Sequence, residues 1–250
     1  MSIVPRRSYE RHGGGGDYGW LKAFHTFNVG AFSDGKHDNF GCLRVMNEDR
    51  VEPETGFDLH PHREFEILSY IISGQLLHED SMGNREILQR CDIQLTSAGT
   101  GIRHSEKSHG SQQVHYFQIW SIPSKSGLTP RYYTRHFEEE DKRDKWCLVV
   151  APANTLDVTD TQAHLHLYIR PSRSMQQSSL RASLSHTRFR AAGYNPSKDA
   201  RGAHIEVSLN SATEVLWEGD GAYIIGEQGE KLVVQNVGDL AVEVLLFDVE

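Results

Sequence analysis

Residues 56–66 read GFDLHPHREFE and place two histidines on either side of a proline. Side chains two positions apart on an extended strand point to the same face, so the imidazoles of His60 and His62 are expected to lie together. Pro61 fixes its own φ angle and favours extended geometry at His60, which makes the pair stiff before any ligand binds. The segment therefore predicts one half of a metal site.

A second segment, SAGTGIRHSE at residues 97–106, repeats the spacing of two after a glycine-rich turn. His104 and Glu106 then share a face, and two such pairs on neighbouring strands can converge on one ion. Three neutral imidazoles and one carboxylate suit Fe(II), Mn(II), Ni(II), Cu(II) or Co(II), whereas Zn(II) fits less well because no thiolate takes part. Glu66 has the strand parity of the first histidine pair and is the rival fourth ligand.

The other histidines and the glycine run carry weaker signals. His164 and His166 form a further pair at a spacing of two, which is interpreted as the polar face of a strand. His78, His109 and His115 are interpreted as surface or turn residues, with hydrogen bonding near the metal site as the alternative. The Gly13–Gly16 run lacks both a preceding strand and the lysine of a phosphate loop, and it predicts a flexible turn.

The rest of the chain predicts an all-β fold with short helices only. Short runs of β-branched, aromatic and aliphatic residues recur, and turn signals such as Gly83-Asn84 end them. Residues 135–145 carry both charge signs and predict a solvated helix or loop. The turn-and-strand unit at residues 91–95 parallels the unit at residues 219–225, which favours two tandem β-barrels. We place a metal-binding barrel at residues 1–130 and a barrel without a metal site at 131–250.

The composition is that of a globular protein rather than a disordered one. The 250 residues are 38% hydrophobic and 24% charged, and the net charge of −8 disfavours direct nucleic-acid binding. The three cysteines are odd in number and never form a CxxC motif, and the N-terminus lacks an apolar signal stretch. With no apolar run long enough to cross a bilayer, we expect a cytoplasmic protein with no membrane contact, or a nuclear location in a eukaryote.

Three motifs carry a family resemblance: HPHREFEI at residues 60–67, SGQLLHEDSMGN at 73–84 and SAGTGIRHSE at 97–106. Together they resemble the pirin family of the cupin superfamily, and the resemblance covers nearly the whole chain. It implies a bicupin, that is, two tandem cupin β-barrels with metal in the first barrel only. Cys91 departs from the family pattern, which usually has glycine there, and residues 162–190 match poorly.

The resemblance also implies a ligand set. The family's metal ligands map onto His60, His62, His104 and Glu106. The glutamate of the first cupin motif, here Glu66, is not a ligand in pirins. In this way the resemblance decides between the two candidate carboxylates, which the spacing alone leaves open.

Two functions follow from the resemblance. Some pirin-like proteins are quercetin 2,3-dioxygenases, which use a metal such as Fe(II) and O₂ to open the central ring of a flavonol and release carbon monoxide. In such an enzyme Glu106 would accept the proton of the flavonol hydroxyl and so act as a catalytic residue. The alternative is a non-catalytic, iron-binding, redox-sensing transcriptional co-regulator with a protein partner. A cupin isomerase or sugar binder is disfavoured by the closeness of the pirin motifs.

Overall fold

The computed structural model describes residues 2–11, 17–153, 158–172, 177–180, 203–227 and 229–249. Within these ranges the helical elements are a 3-10 turn at Ser8–Glu10 and α1 at Glu139–Lys142, so the all-β prediction is confirmed. No helix in the described ranges has the length and apolar character needed to span a membrane. The strands are β1 Ser2–Arg6, β2 Leu21–His25, β3 Leu43–Val51, β4 Gly56–His62, β5 Glu66–Ser73, β6 Leu76–Asp80, β7 Arg85–Leu88, β8 Asp92–Ser97, β9 Ile102–Ser108, β10 Val114–Ser121, β11 Arg131–His136, β12 Cys147–Pro152, β13 Thr159–Thr161, β14 Leu165–Ser172, β15 Gln177–Leu180, β16 His204–Leu209, β17 Ala212–Trp217, β18 Gly221–Ile225, β19 Leu232–Asn236 and β20 Val242–Val249.

The N-terminal unit consists of residues His12–Phe137 and Val150–Leu165. It contains a six-stranded sheet in the order β11-β8-β5-β10-β3-β2 and a four-stranded sheet in the order β4-β9-β6-β7, both with antiparallel pairs. The central strand β5 is buried at every position but its last, whereas β9 alternates between buried and more exposed residues. Alternation of this kind means that β9 turns one face to the interior, and that face carries His104 and Glu106.

Apolar side chains from both sheets of the N-terminal unit form a core. Trp20 and Phe57 pack against this core in an edge-on contact, with ring centroids 5.2 Å apart. Burying a large apolar side chain contributes roughly 1.5–3 kcal/mol, so a core of this size holds the strands in fixed register. Its fully buried members are Leu21, Ala23, Val51, Ile71, Leu76, Leu88, Val114 and Tyr116.

Cys91 has a conformation that glycine adopts more easily. Its φ angle is +74°, in the left-handed region that costs an ordinary L-residue about 1–2 kcal/mol. The strain is offset by two backbone bonds, because the N–H of Cys91 donates to Ile71 O and its carbonyl accepts from the N–H of Phe137, each at 3.2 Å. Within the described residues no disulfide joins the three cysteines; Cys91 is buried, and Cys42 and Cys147 are half-buried.

The C-terminal unit consists of residues Met1–Arg11, Glu138–Val149 and His166–Val249. Its sheet in the order β15-β19-β16-β17 presents alternating buried residues of β16 and β19 to an apolar core. β1 pairs with β18 over five residues, and the buried guanidinium of Arg11 donates to Gly219 O at 2.6 Å. These contacts anchor the N-terminal strand to this unit.

The region around residue 130 differs in detail from the sequence interpretation. Residues 131–136 form β11, which pairs with β8 of the N-terminal unit. The charged segment that follows contains Lys142, which is fully buried rather than solvated as expected. The division into a metal-binding barrel at 1–130 and a metal-free barrel at 131–250 stays a prediction. The Gly13–Gly16 run and part of residues 162–190 lie outside the described residues.

Candidate metal centre

Three histidines converge at the paired strands β4 and β9. His60 is the antiparallel partner of His104, and an irregularity in β4 between Phe57 and His60 sets this register. The ring centroids of His60, His62 and His104 are 4.6–4.8 Å from one another, and one nitrogen of each ring lies within 4.8 Å of the others. Three imidazole nitrogens at these separations can bind one cation.

The protonation states of these rings suit metal binding. Nδ1 of His60 donates to the carbonyl oxygen of Asp58 at 2.7 Å, and because a carbonyl only accepts, the lone pair is on Nε2. Burial, together with the neighbouring His104 and His60, lowers the pKa of His62 to about 4. Burial also lowers the pKa of His104. His62 and His104 are therefore neutral at pH 7.

Several polar atoms of the cluster have unfulfilled hydrogen-bonding capacity. Nε2 of His62 and both ring nitrogens of His104 are buried and have no hydrogen-bond partner among the described residues. Leaving a buried polar atom unpaired costs about 1–3 kcal/mol, so such a cluster calls for a ligand. A divalent transition metal would satisfy Nε2 of His62 and one ring nitrogen of His104, and the residues present fit it.

Glu106 adds an ionised carboxylate beside the rings. Its side chain is 2% exposed, and it forms a second group with His78 and His104 whose ligand atoms also lie within 4.8 Å of one another. Nε2 of Gln118 donates to Oε2 at 2.6 Å, and Oγ of Ser69 donates to Oε1 at 3.2 Å. Burial raises the pKa of Glu106, but His78, His104 and His60 outweigh it and hold the pKa at about 2.

The rival carboxylate, Glu66, does not join the histidines, because its oxygens accept hydrogen bonds from other residues. Its Oε1 accepts from Ser97 Oγ at 2.5 Å, and its Oε2 accepts from Thr161 Oγ1 at 3.0 Å and from the backbone N–H of Gln162 at 2.9 Å. The strand parity that made Glu66 a candidate is broken between β4 and β5, where Glu64 has a φ angle of +58°. The structure therefore places Glu106, and not Glu66, within reach of His104, the histidine that the two groups share.

His78 was wrongly interpreted as a surface residue. It is fully buried, with Nε2 3.4 Å from Asp80 Oδ2 and Nδ1 4.0 Å from Glu106 Oε1. Burial lowers its pKa, but the carboxylates of Glu106 and Asp80 raise it more, so the net shift is upward. The parity of β6 could have revealed this position, because His78 shares a face with the buried Leu76 and is the partner of Glu106 on β9.

The other histidines that the sequence analysis singled out lie outside the cluster. His115 is also buried, contrary to the surface interpretation, and its Nε2 lies 3.0 Å from Glu48 Oε1. His109 is half-buried on a separate polar surface pocket. In the part of the chain that the structure describes, His164 and His166 join no metal-type group; the first is exposed and the second stacks on Tyr168.

A cavity of about 360 Å³ adjoins the cluster within the N-terminal unit. His60, His62 and Glu106 form one part of its wall, and aromatic side chains form much of the rest. Trp120 lies edge-on to His62, with ring centroids 4.7 Å apart. A cavity of this size and character can hold a planar aromatic molecule next to the cluster. The other aromatic members of the wall are Tyr18, Trp20, Phe32 and Phe57.

Comparisons with known proteins agree with the sequence motifs. The family model described as Pirin matches residues 6–121. A quercetin 2,3-dioxygenase of Escherichia coli K12 is 40% identical over 165 residues, which cover 66% of this chain and 68% of that protein. A pirin-like protein of Caulobacter vibrioides is 38% identical over 144 residues, which cover 58% of this chain and 62% of that relative, so the match there is under two thirds of its length.

A solved structure matches over the full chain. The crystal structure of the bacterial pirin YhhW from Escherichia coli in complex with nickel(II) is 32% identical, covers 99% of both chains and superposes with a TM-score of 0.81. The tandem cupin fold expected from the sequence is confirmed by this likeness together with the all-β architecture.

Proposed function

The chain belongs to the pirin family, and we propose that it binds one divalent transition metal through His60, His62, His104 and Glu106 and acts as a flavonol (quercetin) 2,3-dioxygenase. The observation that carries this proposal is the convergence of buried, unpaired imidazole nitrogens on one point beside an ionised carboxylate. The adjoining aromatic cavity gives a flat substrate access to that point.

Fe(II) is the metal that we propose for the centre. Three nitrogen donors and one carboxylate resemble the histidine and carboxylate sets of non-haem iron oxygenases and leave room for further ligands in an octahedral ion. Mn(II), Ni(II), Cu(II), Co(II) and Zn(II) remain alternatives, and nickel(II) is the ion in the crystal structure of the bacterial pirin. The metal would supply Lewis acidity that lowers the pKa of a substrate hydroxyl.

The residues of the chain have distinct tasks in this proposal. The bond from His60 to the Asp58 carbonyl orients its ring, and the bond from Gln118 to Oε2 of Glu106 orients the carboxylate. We propose that Glu106 accepts the proton of the flavonol hydroxyl at Oε1, which has the weaker hydrogen bond.

The aromatic wall has a separate task. Trp20, Phe32, Phe57 and Trp120 would flank the substrate rings and keep bulk water away from the reacting carbons. Opening the flavonol ring consumes one O₂ and releases one carbon monoxide, so carbon monoxide is the diagnostic product.

Elemental analysis of the purified protein and quercetin turnover under O₂, with carbon monoxide detection, test the proposal together. We expect one metal per chain and turnover that His62→Ala abolishes. His164→Ala is the matched control, because His164 belongs to the other histidine pair and its side chain is exposed. The proposed dioxygenase activity would be refuted if turnover survives His62→Ala, or if the protein shows no turnover with any of the named metals. A partner that binds the ferrous and ferric forms differently, without turnover, would favour the redox-sensing regulator.

A further inference from the structure

A row of polar side chains crosses the six-stranded sheet on the face that meets the metal centre. His25, Asn47, Gln118, Ser69 and Gln94 are successive partners on β2, β3, β10, β5 and β8. Directly paired residues of antiparallel strands point to the same side of a sheet, so the five side chains form one line. Gln118 and Ser69 in the middle of this line hold the carboxylate of Glu106.

Asn47 lies on β3, next to Gln118 of β10, which bonds to Glu106. It is the partner of Gln118, and paired residues are about 4.5–5.5 Å apart between Cα atoms. Asn47 and Gln118 both line the cavity that also exposes His60, His62 and Glu106. The amide of Asn47 and the residues of the metal centre therefore face the same cavity.

The amide oxygen of Asn47 has no role within the described part of the chain. Asn47 is 8% exposed, and its Oδ1 is buried without a hydrogen-bond partner among the described residues. Gln118, the neighbouring amide, differs because its Nε2 is already bonded to Glu106. A buried carbonyl oxygen that faces a cavity and lacks a donor costs free energy until a ligand supplies one.

We propose that Asn47 is a specificity-determining residue, whose Oδ1 accepts a hydrogen bond from a substrate hydroxyl remote from the atoms that meet the metal. This inference deepens the proposed function and depends on it. Aromatic side chains form much of the cavity wall, so rings would be held by packing, and the amide of Asn47, which lies in a polar part of the wall with His25, Asp49 and Gln118, distinguishes rings that carry a hydroxyl from rings that do not. The favoured substrates are polyhydroxylated aromatic compounds rather than bare ones.

Two flavonols separate this role from binding at the metal. Quercetin and 3-hydroxyflavone share the 3-hydroxyl and 4-carbonyl pair, but 3-hydroxyflavone has no other hydroxyl. Their dissociation constants are measured by titration calorimetry without O₂, on Ni(II)-loaded wild-type protein and on Asn47→Leu, Asn47→Asp and Asn39→Leu. Asn39 is an exposed asparagine that does not line the cavity, and it serves as the matched control.

We expect the wild type to prefer quercetin. Asn47→Leu should weaken quercetin binding about tenfold and leave 3-hydroxyflavone within threefold, since one neutral hydrogen bond is lost. Asn47→Asp keeps an acceptor oxygen and should keep the preference, as should Asn39→Leu. Unchanged quercetin affinity in Asn47→Leu, an equal loss for both flavonols, or a lost preference in Asn47→Asp would overturn the role of Asn47 and leave the proposed function standing. A wild type that binds neither flavonol would refute the proposed function, and the role of Asn47 with it.

Discussion

Replacing Gln118 by leucine should weaken metal binding although Gln118 is not itself a proposed ligand. Its Nε2 donates to Oε2 of Glu106 at 2.6 Å in a fully buried setting. A hydrogen bond to a charged group contributes about 1.5–3 kcal/mol, and Ser69 at 3.2 Å is too distant to replace it. At about 1.4 kcal/mol for each factor of ten, the expected loss is roughly 10- to 100-fold in affinity, the range typical of groups that orient metal ligands.

Isothermal titration calorimetry with Ni(II) at pH 7.5 measures this loss. Gln113→Leu is the matched control, because Nε2 of Gln113 also donates to a carboxylate at 2.6 Å, that of Glu52, which belongs to neither metal-type group. We expect the Gln113 variant to bind Ni(II) within threefold of the wild type. If Gln118→Leu also stays within threefold and its thermal unfolding shows a folded protein, then Glu106 does not need its orienting bond, and its assignment as a ligand loses its support.

Two further perturbations test the site through stability. The pKa of His62 is about 4 in the fold against 6.5 for an ordinary histidine, so its stabilising contribution is complete above pH 6.5 and is lost as the pH falls towards 4. In urea unfolding of the metal-free protein, the difference in the free energy of unfolding between wild type and His62→Gln should therefore shrink over that interval. A difference that stays constant would contradict the pKa shift. A Cβ at Gly56, where φ is +150°, would lie 2.3 Å from Glu106 O and 2.6 Å from Lys107 Cα, so Gly56→Ala should lower the free energy of unfolding by about 2–4 kcal/mol and impair Ni(II) binding. Gly30→Ala, with φ of +56° and no atom within 4 Å of the new Cβ, should cost about 1 kcal/mol and spare binding, and equal effects of the two changes would refute the steric account.

Strand periodicity was sufficient to predict that His60, His62 and His104 meet. The spacing of two in each pair depends only on the alternation of side chains, and β4 and β9 do pair so that His60 lies opposite His104. The run of short apolar segments likewise predicted the all-β fold, since no long helical period competes with it. Metal ligation by these residues is a further step that stays a prediction.

Spacing could not predict what depends on single backbone angles and on register. The positive φ angle of Glu64 separates Glu66 from the histidine pair, and no residue pattern in the segment marks that break. His78 meets Glu106 only because β6 lies beside β9 in one particular register, which a single sequence does not specify. The pairing of β11 with β8, across the predicted boundary, is a long-range contact of the same kind.

The charges of the centre connect the fold with the proposed chemistry. Burial keeps His62 and His104 neutral, while Glu106 stays ionised because His78, whose pKa is raised, and the hydrogen bond from Gln118 stabilise its charge. A divalent cation held by three neutral imidazoles and this carboxylate has a net charge near +1, which favours an anionic oxygen as the next ligand. The deprotonated hydroxyl of a flavonol is such an oxygen. In the proposed site, the burial that keeps protons off His62 and His104 would therefore favour both a cation as ligand and an anionic substrate oxygen beside it.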